Sequence, residues 1–432
     1  MGSSGVTPKG FEFQTAEPSG VSNARRWAVV WLLFAASVIN YFDRATISFA
    51  LPLISHDLHL GPETKGLLLS AFFWSYTLMQ VPMGLIVDRW NLLWIYTAAF
   101  GIWSLAQGLT GLAGSLLVLV LLRIMLGLGE SIYLPGGIRI VSNLFGRAER
   151  GLPTGIFDFG TRTGLVMEGI LVPWLLVHYG WRDTFVLVGL TAFLWLIPWI
   201  AVFPSQLAKR RERALKSPRE GARRRFRLVH FNRNLLGICL GFFCFDYFWY
   251  LMLTWLPDYL YEARHLSIMK AGIFAAIPYA VFGLSEPFGG WVADRLIRRG
   301  WDETRTRKGI VSFAFMFGLL IIPAALARTA GTAVALIMCA GLVGLASANL
   351  LVMVQSCAPP DEIGVWTGFE NFAGNIGGIV APLLTGFLIA WTGSFLSAFV
   401  LAPTILVSGL LSYWLVVGKL EPPSPHELQA AE

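Results

Sequence analysis

Gly84-Leu85-Ile86-Val87-Asp88-Arg89 and Gly290-Trp291-Val292-Ala293-Asp294-Arg295 each close an apolar run long enough to cross a bilayer. One Gly-x-x-x-Asp-Arg turn is weak evidence of anything. Two of them, 206 residues apart, decide the architecture, because the same offset lays Asn40-Tyr41 on Asp246-Tyr247. A second correspondence, at an offset of 213, lays Gly151-x-x-x-Gly155, Asp158 and Arg162 on Gly364-x-x-x-Gly368, Asn371 and Asn375. Matching motifs at matching places predict two related halves in a parallel repeat, the arrangement of a rocking secondary transporter. The glycines let neighbouring helices approach closely. Asp88, Arg89, Asp294 and Arg295, at the membrane edge, are candidate gate residues that bridge to helix ends.

Outward from these turns, apolar runs predict six spans in each half. They cover roughly 27–54, 66–87, 92–113, 115–138, 152–178 and 183–203, then 234–261, 269–292, 309–328, 331–354, 363–390 and 394–418. The predicted fold is an all-α polytopic membrane protein with twelve transmembrane helices in two six-helix bundles. The bundles occupy 25–203 and 234–418, joined by a basic linker at 204–233 and flanked by disordered tails at 1–24 and 419–432. The first tail has no apolar core and does not read as a signal peptide.

Composition agrees. Of 432 residues, 55% are hydrophobic and 14% charged, where soluble domains carry about 25% charged residues. A soluble chain could not hide that much apolar surface. The net charge of +7 is concentrated in loops: eleven basic residues between Lys209 and Arg233, and six between Arg295 and Lys308. Basic loops mark the cytoplasmic side of an inserted protein. This argues against nucleic acid as a partner and places both termini in the cytoplasm, with the chain multi-pass in the cell (inner) membrane. The four cysteines form no CxxC pair, and the histidines are scattered. No metal site and no cofactor is expected.

The departures from apolarity carry the functional reading. Charges inside spans cost about 2.5–3.5 kcal/mol each on insertion scales, so they face cavities and pair. Asp43 and Arg44 are adjacent on span one, point apart by roughly 100°, and each needs an outside partner. Arg123 and Glu130 are two turns apart on span four, either a fixed ion pair or a working one. Asp158 and Arg162, one turn apart on span five, are either self-satisfied or part of a site. Thr161 lies beside them. The three arginines all belong to the first half, and an arginine fork suits an organic carboxylate. A carboxylate beside it that gains and loses a proton couples that anion to proton entry; Asp43, Glu130 and Asp158 are the candidates. Tyr41, Tyr76 and Tyr247 are either plain interior aromatics or hydroxyls for sugar.

Together these residues resemble a known family. Asn40-Tyr41-Phe42-Asp43-Arg44-Ala45 is similar to the NYxDRA signature of the anion:cation symporter family of the major facilitator superfamily, whose members carry hexuronate, galactonate and glucarate. The likeness continues through Arg123-Ile-Met-Leu-Gly-Leu-Gly-Glu130, Trp249-Tyr250-Leu-Met-Leu-Thr254-Trp255-Leu-Pro257 and Asn371-Phe-Ala-Gly-Asn375. It implies proton-coupled import of an organic anion, a sugar acid such as a hexuronate or aldonate, by a monomer working through alternating access. It implies that Asp43 and Glu130 couple protons, that Arg44 engages the substrate carboxylate, and that Arg123 works with Glu130. Tyr41, Tyr76 and Asn371 would line the pocket. Asp158 and Arg162 depart from the sugar-acid members and add an acid and a base, so that the extra arginine could meet a second carboxylate, and the Phe and Trp content of spans five and seven leaves an aromatic carboxylate or a dicarboxylate open as substrate. A non-transporting sensor would need an appended signalling domain, and an intramembrane enzyme a nucleophile–base or metal cluster; neither stands out. The chain is not read as an enzyme.

Overall fold

The computed structural model describes residues 21–145, 151–204, 231–359 and 363–422. Most of the expected tails and of the expected linker lies outside the described residues; the tail ends that are described are ordered and not disordered as expected, Asn23 and Ala24 belonging to the first helix and the Leu420 N–H donating to Thr304 Oγ1 (3.1 Å). All regular structure among those described is helical. In chain order the spans are α1 (Asn23–Leu58), α2 (Pro62–Arg89), α3 (Leu92–Thr110), α4 (Leu116–Leu144), α5 (151–179) and α6 (181–202). The second half has α7 (Arg233–Ala263), α8 (Ile268–Arg298), α9 (Glu303–Leu326), α10 (Ala330–Cys357), α11 (Ile363–Thr392) and α12 (Leu396–Val416). Ten stretches are long and apolar enough to cross a membrane by composition alone. One of them runs through Gly180, whose φ of 75° turns the chain and makes two spans of it. The twelfth, α2, is diluted by Glu63, Lys65, Gln80, Asp88 and Arg89 yet is 28 residues long.

Helix starts follow polar caps. Asn91, Asn232, Asp302 and Thr329 each accept a hydrogen bond from a main-chain N–H in the first turn of α3, α7, α9 and α10. Asp302 explains a difference from the expected boundary. The apolar run begins near 309, but the cap starts α9 at Glu303, so a charged turn stands outside the membrane core.

Each half closes on itself in the same way. Arg25, at the start of α1, donates to the carbonyl of Val202 at the end of α6 (2.7 Å). Arg233, at the start of α7, donates to the carbonyl of Val416 at the end of α12 (2.6 Å). The start of α1 and the end of α12 therefore share one face, called here the terminal face.

The halves meet at the opposite face. Lys65 of α2 donates to both oxygens of Asp258 on α7 (3.0 and 3.2 Å) and to Glu262 (3.4 Å). Gly66 of α2 lies against α11, where an added methyl would sit 2.6 Å from the Pro382 carbonyl. Gly272 of α8 likewise packs on Pro173 and Gly169 of α5. Toward the terminal face the halves part: nothing lies within 4 Å of a methyl added at Gly155 or Gly368, and Asp158 is exposed. The protein is closed at the face away from the termini and open at the terminal face.

Gly66→Val is expected to lower initial transport rates about ten-fold at matched protein levels. The methyls meet main-chain atoms of α11, and overpacking costs about 1–3 kcal/mol in this closed state. An unchanged rate would show that α2 and α11 need not approach this closely.

Candidate functional site

Where α1 crosses the middle of the first half, its one-turn spacing puts Asn40 and Arg44 on one face. Arg44 is 5% exposed. Its Nη2 donates to Glu130 Oε2 of α4 (3.1 Å) and to Asn40 Oδ1 (3.3 Å), and its Nε also reaches Glu130 (3.3 Å). Three rings surround it: Tyr76, Phe72 and Tyr41, at 4.5, 4.7 and 4.8 Å from its central carbon. Rings within about 6 Å hold a cation without neutralising it. Glu130 spends one oxygen on Arg44, and its Oε1 has no partner among the described residues.

Across the seam from this cluster, Phe73 of α2 meets Tyr250 of α7 edge to face at 4.6 Å. The Tyr250 hydroxyl donates to Asn375 Oδ1 (3.2 Å), and Asn375 donates to Asn371 Oδ1 (2.6 Å). Asp246 is an electrostatic neighbour of Tyr250, as are Arg44, Tyr41 and Tyr76. One wall thus offers a guanidinium and phenols, and the facing wall offers amides, a phenol and a carboxyl.

Arg162 approaches the same space from α5. It pairs with Glu286 of α8 across the halves (2.6 Å), and Glu286 accepts a second hydrogen bond from Ser347 of α10 (3.0 Å). Of the two readings left open for Asp158 and Arg162, the self-satisfied pair is not the one formed: Arg162 turns to the other half. Asp158 is exposed toward the open side, within electrostatic range of Arg162 and Glu286.

Other expectations change with the geometry. Arg123 and Glu130 make no direct bond. Arg44 takes Glu130, because α1 passes between, and Arg123 donates to the main-chain oxygen of Arg44 (3.3 Å). Asp43 points away from Arg44, as adjacent helical residues must. It is fully buried with neither carboxylate oxygen partnered among the described residues. It lines a largely apolar pocket of about 460 Å³ between α1, α5 and α6, away from the facing walls above. Its charged neighbours are Glu130, Arg123 and Glu168. Thr161 is buried and donates to the carbonyl of Asp158 (2.8 Å), so its hydroxyl is used within its own helix. Tyr247 is fully buried.

Of the gate motifs, the side chains of Asp88 and Arg89 lie outside the described residues. Asp294 accepts from Arg307 of α9 (3.2 Å), and Arg295 lies over the Trp291 ring of its own helix. Arg307 also holds Glu303 and Asn349. The second motif therefore ties α8, α9 and α10 within one half, as an open terminal face requires. Residues the sequence reading left out of the site are Asn40, Phe72, Tyr250 and Glu286. Asn40, one turn from Arg44, and Glu286, an acid inside an apolar span, had a local signal.

The model of the Major Facilitator Superfamily matches residues 33–382. The chain is 30% identical to the probable galactarate/D-glucarate transporter GudP of Bacillus subtilis (strain 168), over 95% of this chain and 96% of that one. It is 31% identical to the D-galactonate transporter of Escherichia coli O6:H1 (92% and 96% covered) and 30% to the hexuronate transporter of B. subtilis (89% and 93%). In fold it is similar to a bacterial homolog of the human lysosomal transporter Spinster in an inward-facing and occupied conformation, with TM-score 0.77, 18% identity, and 92% and 97% of the two chains covered. Twelve spans in two halves, a buried arginine facing a polar wall across the seam, and these likenesses agree: the chain belongs to the Major Facilitator Superfamily, among its transporters related to sugar-acid carriers.

Proposed function

We propose that the chain is a proton-coupled symporter of an organic anion, a sugar acid, working as a monomer by alternating access. The observation that carries this is Arg44: a buried guanidinium whose anionic partner, Glu130, is itself a titratable side chain. A substrate carboxylate and Glu130 compete for one fork. If the substrate takes Arg44, an ionised Glu130 would be left buried and unpaired, at a cost of several kcal/mol. Protonation of Glu130 removes that cost, so anion and proton enter together. When the proton leaves, Glu130 reclaims Arg44 and the anion is expelled.

Charge balance supports the same reading. The buried cluster of the first half holds three carboxyls, Asp43, Glu130 and Glu168, against two guanidiniums, Arg44 and Arg123. Fully ionised, it would carry one uncompensated negative charge in the membrane interior, where charge is costly. One proton neutralises it, and Asp43 is the second candidate to hold it. The facing Tyr250, Asn371, Asn375 and Asp246 suit the hydroxyls of a sugar acid. The named substrates of the relatives, galactarate, glucarate, galactonate and hexuronate, are of this class. The basic residues at the terminal face, Arg25, Arg26 and Arg233 among them, favour termini in the cytoplasm, and the open side would then face inward.

The test is uptake into proteoliposomes. With an acidic exterior, radiolabelled sugar acids are expected to accumulate above equilibrium, and a protonophore should abolish the excess. Accumulation that is indifferent to the pH gradient would remove the proton from the scheme.

A further inference from the structure

Arg44–Glu130 is not the only ion pair of its kind. Arg162–Glu286 repeats its chemistry: an arginine from the first half, facing the seam, held by a glutamate. Both guanidiniums flank Tyr41. Arg44 lies 4.8 Å from its ring, and Arg162 is its second cationic neighbour. Gly164 of α5 packs against Tyr41, half a turn beyond Arg162, which holds the two helices together there.

The pairs differ in one informative way. The Arg162 and Glu286 side chains are 23% and 17% exposed, so the pair can be reached from the open side. Arg162 also sits where α5 and α8 part. Above it Gly169, Pro173, Gly272 and Ala276 are in close contact, and below it Gly155 is free. A pair at that fork, half-solvated and bridging two moving bodies, can exchange partners during the cycle. A purely structural pair would be better placed inside one half.

We propose that Arg162 and Glu286 form a second carboxylate-exchange centre, so that the preferred substrate is a polyhydroxy dicarboxylate spanning Arg44 and Arg162, with one proton entering per carboxylate. This rests on the symport reading above. In the substrate-free state Glu286 stands in for the far carboxylate. Substrate binding breaks the Arg162–Glu286 pair and forms an Arg162–substrate pair, and a proton from water settles on Glu286. The local charge is unchanged: one guanidinium and one carboxylate before and after. The charged groups facing Glu286 are Arg162 and Asp158 of α5, with the Ser347 hydroxyl of α10 on its other oxygen. Asp246 of α7 faces Arg162. Ser347 can keep its bond to the protonated acid.

Galactarate and galactonate test this directly, since they share a six-carbon polyol chain and differ only in the second carboxylate. In proteoliposomes of the full chain, galactarate is expected to bind at least ten-fold more tightly. It should be balanced by a pH gradient corresponding to two protons, and galactonate by one. Arg162→Gln should bring the ratio of affinities to near one, chiefly through galactarate, with Arg162→Lys intermediate and monodispersity checked for both. Glu286→Gln should reduce the count for galactarate to one proton. Equal wild-type affinities, or equal weakening of both ligands by Arg162→Gln, would overturn the second centre while leaving symport standing. If neither sugar acid bound the wild type, the sugar-acid reading itself would fall.

Discussion

Replacing Arg44 with alanine is expected to abolish uptake and to destabilise the protein by about 3–5 kcal/mol, the usual cost of removing one partner of a buried ion pair. The guanidinium supplies Glu130 with its bonds from Nε and Nη2, and the other carboxylate oxygen has no hydrogen-bond partner among the described residues. Truncation therefore leaves a buried acid without that guanidinium and three aromatic rings around an empty space. The double variant Arg44→Ala/Glu130→Gln separates the two effects. It should recover most of the lost stability, because no Glu130 carboxylate is stranded by the loss of the guanidinium, yet remain inactive, because the fork for the substrate carboxylate beside Tyr41 and Tyr76 is gone. Thermal unfolding with and without sugar acid reads both, since a ligand that binds only the native state raises the midpoint by mass action. Substrate-induced stabilisation that survives in the double variant would remove Arg44 from the binding site.

Glu130→Gln is the second large effect, and its direction differs. Glutamine keeps the shape and one acceptor for Arg44 but no longer competes as an anion. Substrate affinity should rise, and exchange of internal for external substrate should persist. Accumulation of a monocarboxylate such as galactonate, driven by a pH gradient, should fall to equilibrium, because its release no longer depends on losing a proton. Wild-type uptake should increase as the external side is acidified, whereas the variant should respond weakly. A variant that still accumulates substrate fully would shift the coupling to Asp43 or Glu168, the other two carboxyls of the cluster.

These expectations depend on contacts that were unevenly legible. The twelve spans follow from apolar length, and the repeat from two copies of a turn. Caps moved boundaries where a polar turn precedes the membrane, as Asp302 does for α9. Arg44 and Glu130 were recognisable as members of a site, but their pairing was not. Two turns of spacing suggested Arg123 as the partner of Glu130, yet spacing along one helix says nothing of what a neighbouring helix inserts between. The same blindness hid the partner of Glu286, which is visible in the sequence only as a lone acid in an apolar run. Its meaning comes only from Arg162, 124 residues away on a helix of the other half. Thr161 and Tyr247 illustrate the converse. Each has a suitable polar group beside a suspected site, and in the fold one is spent on its own helix and the other is fully buried.

The chain by itself determined where the protein lives, how many times it crosses, and that it is built from two related halves, because lipid demands long apolar helices and a repeat writes itself twice. It also determined which charges are anomalous, because a charge in an apolar run is visible without any partner. Which charge meets which was decided only by the tertiary structure. An ion pair depends on distance and direction between helices, and the seam between the halves, where Arg44, Tyr250, Arg162 and Glu286 converge, has no address in the linear sequence.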